Sequence, residues 1–398
     1  MLFDDFERTN GAPREFGEGL FPFLNRAAGP YWQSVRDLLS GWVSNYPADH
    51  RSTLVARFQR TDERGFLGAF WELYLHELFR RLGFAIVLHP VIDGVRHRPD
   101  FLLSKSGRRV YLEAVTNYES QSHSADDERL APLFDAVHRI ESRHYVIQPD
   151  ARQIANVPLP VDAIVDELRS WLATLDGEPL STQSRAEPAP YKWQMSGWSL
   201  FFRAIPGSDH AAEKTRAVNV GAKRSRASDE ARAVRQQLAG KARFYGRNLG
   251  SPYLIALASY RPGHSSEALL AGLFGSASER RDLLATSAHL TTTSNRGESL
   301  WLTSRGVRYQ NASAVLTAFE LMPWSVAHSQ PWLIENPWAT HPLEIELPFD
   351  RFTIDLSTGE ATALVTGLLP YELFGLAADW PPGREFAWPV TDASRSGP

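Results

Sequence analysis

The stretch FLGAFWELYLHELFRRLGF, followed at once by three short apolar runs, constrains the fold of this chain more than anything else in it. Apolar side chains take up most of the circumference of its first part, so residues 65–82 form a helix that must be covered on several sides. Gly83 ends it, as glycine does where a chain leaves a helix. Residues 84–89, 99–103 and 110–116 read as strands. The last two flank SKSGRR, a polar, glycine-containing connection suited to a hairpin. A helix is expected from about 229 to 247, and PYLIALAS, a continuous apolar run over 252–259, has the character of a strand buried on both faces. The order helix, three strands, helix, strand predicts an α/β sandwich with helices flanking a central mixed sheet.

Other segments arrange themselves around this core. Leu20, Phe23, Leu24, Trp32, Val35, Leu38, Leu39 and Trp42 recur at helical spacing, which gives a helical N-terminal extension over 1–62. The core is assigned to 63–330, with an insertion at about 118–190 that contains the helix VDAIVDELRSWLATL, and with a further strand at 198–205. Residues 331–398, rich in tryptophan and proline, form a C-terminal elaboration packed on the core. No internal repeat is visible.

Composition narrows the chemistry. The absence of cysteine removes disulfides, thiolate zinc sites and cysteine nucleophiles. The N-terminal residues have neither the basic flank nor the apolar run of a signal peptide, and no run reaches the roughly 20 apolar residues that span a bilayer. A cytoplasmic protein without a membrane partner is the expectation. The net charge of −4 is unlike that of a non-specific DNA coater, though a local basic groove can act against the total. Walker, dinucleotide, HExxH and GxSxG motifs are all missing. Only Lys105, Lys192, Lys214, Lys223 and Lys241 are lysines, so a lysine on an apolar stripe stands out.

Two acids interrupt apolar strands: Asp100 in RPDFLL and Glu113 in YLEAV. If the hairpin pairs around SKSGRR, both carboxylates meet at one end of the sheet. Burying them there is costly unless a cation or hydrogen bonds compensate. The bland alternative makes Asp100 a strand-start residue and pairs Glu113 with Arg98 or Arg108. On the first helix Glu72 shares a stripe with Gly68, Leu75, Phe79 and Leu82, so it faces the core, where a buried salt bridge to an arginine is the simpler reading. Glu77 is expected to be a solvated partner of Arg80 or Arg81, and His76 a packed or exposed residue.

Pro99-Asp100 followed by Glu113-Ala114-Val115 resembles the Pro-Asp, then Glu-X-Lys pattern of the PD-(D/E)XK, or restriction-endonuclease-like, nuclease superfamily. The helix over 65–82 resembles the one preceding the strands in archaeal Holliday-junction resolvases, and Glu72 matches the acidic residue that many members carry there. The resemblance implies an αβββαβ core, Mg²⁺ or Mn²⁺ held by Asp100 and Glu113, and hydrolysis of nucleic-acid phosphodiesters in bacterial defence or repair. DNA is the implied partner in preference to RNA, and a homodimer is an admissible assembly. Where the superfamily has its lysine this chain has Val115. Several families place that lysine on the following helix, where Lys241 lies on a stripe with Val234, Leu238 and Tyr245. The implied catalytic set is therefore Glu72, Asp100, Glu113 and Lys241, with Gln237 one turn away. The alternative is an inactive nuclease fold that binds nucleic acid or a partner. The tryptophans of ENPWATHPL are read as core or interface groups ahead of base-stacking platforms, and Lys223, Arg224 and Arg226 as a solvated basic run.

Overall fold

The computed structural model describes residues 1–15, 17–60, 62–94, 97–117, 125–142, 145–176, 189–206, 215–216, 227–243, 249–260, 265–280, 299–303, 306–319 and 321–383. Two compact units result. One comprises Met1–Pro13, Gly19–Glu119 and Ser225–Pro398; the other comprises Arg14–Glu18 and Ser120–Arg224.

The first unit opens with helices α1 (Leu20–Arg26), α2 (Pro30–Asn45), α3 (Ala48–Phe58) and α4 (Glu63–Arg81). Asp62 caps α4 by accepting a hydrogen bond from the Gly65 N–H. Strands β1 (Ala85–Leu88), β2 (Phe101–Lys105) and β3 (Arg108–Asn117) follow as an antiparallel meander. Between β2 and β3 the turn is two residues long. Ser106 and Gly107 sit at φ +51° and +77°, the all-positive geometry of the hairpin turn that matches strand twist. That turn sets Lys105 opposite Arg108 and Phe101 opposite Leu112.

The second unit holds α5 (Ala125–His138), β4 (Glu141–Ser142), β5 (Tyr145–Gln153), α6 (Val161–Asp176), β6 (Tyr191–Met195), β7 (Trp198–Pro206) and β8 (Thr215–Arg216). Its antiparallel sheet runs β5-β7-β6 over a core that includes Leu133, Ile147, Leu168 and Phe202. This unit extends past the insertion set at 118–190 from sequence, and the strand expected at 198–205 belongs to its small sheet. Its local pattern gave no sign of which sheet it would join.

Returning to the first unit, the chain forms α7 (Ala227–Ala242), β9 (Tyr253–Ser259), α8 (Ser266–Phe274), the short ribbon β10 (Leu302–Thr303) and β11 (Gly306–Val307), and then β12 (Ala314–Ala318), β13 (Pro331–Glu335), β14 (Asp350–Ile354), β15 (Ala361–Leu364) and α9 (Pro370–Phe374). Tyr245, the basic run Lys223, Arg224 and Arg226, and the end of the helix expected to reach 247 lie outside the described residues.

Eight strands make one mixed sheet in the order β1-β2-β3-β9-β12-β13-β14-β15. Its centre is parallel, β3 beside β9 and β9 beside β12. The strands β13 to β15 extend the same sheet, so the C-terminal segment supplies part of the core layer. Alternation divides β9 cleanly. Leu254, Ala256 and Ala258 face the α4 side, while Tyr253, Ile255 and Leu257 pack with Val234 and Leu238 of α7 and with Leu269 and Leu273 of α8. Small residues under α4 leave room for large rings: Trp71 stacks on Tyr74 with centroids 5.5 Å apart, and its indole N–H donates to the Ala256 carbonyl at 3.0 Å.

Glu77 departs from expectation. Its side chain is wholly buried, and it accepts from Arg80 Nε at 2.8 Å and Arg81 Nε at 2.7 Å. The arginine partners are those the spacing suggested, but α9 closes over this end of α4, with the Leu373 carbonyl taking Arg81 Nη1. The tryptophans of the C-terminal segment pack: Trp332 stacks on Phe352 at 4.4 Å, and Trp338 lies against Phe274. Among the described residues no helix is long and apolar enough to cross a membrane.

Because Trp71 ties α4 to the central strand, Trp71→Phe should lower stability by about 1–3 kcal/mol through the lost hydrogen bond and lost volume. Urea denaturation should show a lower midpoint with an unchanged slope, and an unmoved midpoint would show that this tether contributes nothing.

Candidate active site

One further step along the β2–β3 register, from Phe101↔Leu112, brings Asp100 opposite Glu113. Opposed residues of an antiparallel pair project to the same face, and here that face lies beneath α7. The Asp100 carboxylate extends the ladder past the end of β2, its Oδ2 accepting the Ala114 N–H at 2.7 Å. Glu113 is buried at 6% side-chain exposure and pairs with Lys241, whose Nζ lies 2.5 Å from Glu113 Oε1. Asp100 retains 25% exposure, which leaves this acid reachable from solvent.

Helix α7 delivers Lys241 because its apolar stripe seats on β3. Val234 and Leu238 pack in one cluster with Val115, which is itself buried under the helix. Gln237 donates to the Thr116 carbonyl at 2.9 Å, so its amide pins α7 to β3 and does not stand ready for a ligand. Position 115 is thus filled by packing, and the ammonium that meets Glu113 comes from the helix above it.

Glu72 comes from α4. Both its oxygens are engaged, Oε1 by the Tyr46 hydroxyl at 2.5 Å and Oε2 by Arg57 in an ion pair. The simpler reading of Glu72, a buried pair with arginine, therefore describes its contacts. Its charge still reaches the acids. Asp100 is pushed up to about 7, first by burial, then by the Glu113 carboxylate, with Glu72 adding to the effect and Lys241 and the Ala114 N–H opposing it. Burial and the Glu72 carboxylate likewise drive the Tyr46 phenol far above its usual range, so it stays a donor. His76 is buried against Tyr46, and burial pulls it down to about 4, which keeps the imidazole neutral.

Asp100, Glu113 and Lys241 thus converge from three elements, with Glu72 as an electrostatic neighbour. Sequence reasoning missed Tyr46, Arg57 and two histidines. His89 Nδ1 stands 4.0 Å from Asp100 Oδ1, its backbone N–H donates to the Asp100 carbonyl, and the His50 ring lies 5.5 Å away. His89 takes φ +46°, a conformation that a residue before proline does not advertise.

The donor set suits a hard divalent cation. Mg²⁺ takes one or two carboxylates and completes its shell with water and phosphate oxygens. Among the described residues no group of three or more His, Asp or Glu side chains is arranged to hold a metal ion. A cation here would rest on Asp100 and Glu113. No family model matches the chain, and neither a curated protein nor a solved structure matches it.

The raised Asp100 has a signed consequence. Between the ordinary carboxylate value near 4 and about 7, the folded protein holds a proton that the unfolded chain has released. Metal-free stability must therefore fall as pH rises through that window, by on the order of 1.4 kcal/mol per pH unit. Asp100→Asn should match wild type near pH 4 and exceed it at pH 8 in chelator. Equal melting-temperature differences at the two pH values would contradict the assignment.

Proposed function

We propose that this chain is a divalent-metal-dependent phosphodiesterase of nucleic acid, DNA in preference to RNA, built on a restriction-endonuclease-like αβββαβ core. The observation that carries the reading is the meeting of Asp100, Glu113 and Lys241 on one face of the sheet. The order α4, β1, β2, β3, α7, β9 supports it, as do the antiparallel meander, the parallel β3–β9 pair and the packing of α4 and α7 against opposite faces.

Asp100 and Glu113 would hold Mg²⁺ or Mn²⁺, which polarises the phosphate, lowers the pKa of a bound water and stabilises the departing oxygen. The protein's own groups do the rest. Lys241 keeps a positive charge beside Glu113 and can hold the attacking water or a non-bridging phosphate oxygen. The Ala114 N–H fixes the direction of the Asp100 carboxylate. Tyr46 and Arg57 anchor Glu72 at a fixed place behind the acid pair. Water adds to phosphorus, the bond to the leaving oxygen breaks, and that oxygen takes up a proton.

Cleavage of single- and double-stranded DNA and RNA in Mg²⁺ or Mn²⁺, abolished by chelator, is the expected activity. Glu113→Gln should fold normally and lose cleavage. Lys241→Met should keep metal binding and lose about 10²–10³ in rate, the usual cost of one transition-state contact. Val115→Lys in the Lys241→Met background should restore part of the rate. Full activity in Lys241→Met would end the assignment of that lysine. A wild type inert on every substrate and metal would leave the inactive, nucleic-acid- or partner-binding form of the fold.

A further inference from the structure

Helix α7 has a second functional face. The stripe carrying Lys241 packs on β3, and on the opposite side of the helix Arg235, Gln236 and Arg243 form one wall of a cleft of about 260 Å³. Ser299, Arg308 and Tyr309 belong to the other wall. The walls are tied together: Asn311 donates to the Ala242 carbonyl at 2.8 Å and Arg243 Nε donates to the Tyr309 hydroxyl at 2.9 Å, while the Arg308 N–H donates to the Trp301 carbonyl within the second wall. Arg243 and Arg308 both lie against the Tyr309 ring, at 5.9 and 5.1 Å from its centroid. Among the described residues no carboxylate pairs with Arg243 or Arg308. Among the described residues, the Tyr309 hydroxyl and ring are the side-chain partners of both.

Arg243 and Arg308 bring two guanidinium groups to one preformed cleft in a chain of net charge −4. The C-terminal end of α7 contributes only about half a negative charge nearby, less than those two cations carry. Planar guanidinium forks match phosphate oxygens, and Gln236 adds a neutral polar group. Gly240 and Ala239 keep the floor low: a Cβ added at Gly240 would meet nothing within 4 Å.

We propose that this cleft seats a backbone phosphate of bound nucleic acid, one helix width from the acid pair. The proposal rests on the reading of the chain as a nucleic-acid enzyme, and it adds where the strand is held away from the chemistry. A labelled single-stranded oligonucleotide in chelator, followed by fluorescence anisotropy across a salt series, isolates binding from cleavage. The Arg243→Ala, Arg308→Ala double variant should bind at least about tenfold more weakly and lose about one unit of log–log salt slope. Gly240→Glu places a carboxylate in the cleft and replaces a poor helix former, so it should melt no lower than wild type yet show the same loss. Wild-type affinity in both variants overturns the proposal. So does loss of inorganic phosphate binding with oligonucleotide affinity unchanged, which would make the cleft a site for small phosphorylated molecules. A wild type that binds through the cleft but cleaves nothing in any divalent metal keeps the cleft and removes the nuclease reading.

Discussion

Two carboxylates facing each other at the end of a hairpin set the terms for the rest of this structure. Like charges directly opposite in a sheet repel, and removing them from water increases the cost. The turn at Ser106-Gly107 leaves no freedom to escape, because a one-residue slip would send every side chain of β2 to the other face. Charge must therefore come from outside the hairpin. Lys241 supplies part of it to Glu113, while burial, the Glu113 carboxylate and Glu72 still push Asp100 up to about 7. In the proposed reading a divalent cation completes it.

The surrounding architecture serves that balance. The parallel β3–β9 pair, with β9 apolar on both faces, lets α4 and α7 close on opposite sides of the sheet. On one side the N-terminal helices bring Tyr46 and Arg57 to Glu72, so its charge is held and screened at a fixed place. On the other, Val115, Val234 and Leu238 form the apolar contact that aims Lys241. A lysine at position 115 would have to leave that contact, which gives a packing reason for a valine there once the ammonium comes from the helix.

Much of this was legible in the sequence because it is local. Pairing about SKSGRR brings Asp100 to Glu113, although the strands run further into that connection than the sequence showed, to Lys105 and from Arg108. Helical spacing put Lys241 on the stripe of Val234 and Leu238. What stayed hidden depends on distant segments. Nothing in the residues around Glu72 names Arg57 or Tyr46. Glu77 looked solvated because its helix pattern cannot show that its partner Arg81 is met by the Leu373 carbonyl of α9, nearly three hundred residues later. The strand β7 carried a strand's pattern without an address, and it joined the sheet of the second unit. Gln237 looked available for chemistry, yet the carbonyl of Thr116 takes its amide.

The most direct test of a charge deficit at this acid pair is anomalous diffraction from crystals soaked in Mn²⁺, recorded at the manganese edge. One strong peak is expected within bonding distance of both the Asp100 and Glu113 carboxylates, with Lys241 Nζ still close to the site. A map without a peak there, with Lys241 alone satisfying Glu113, would contradict it.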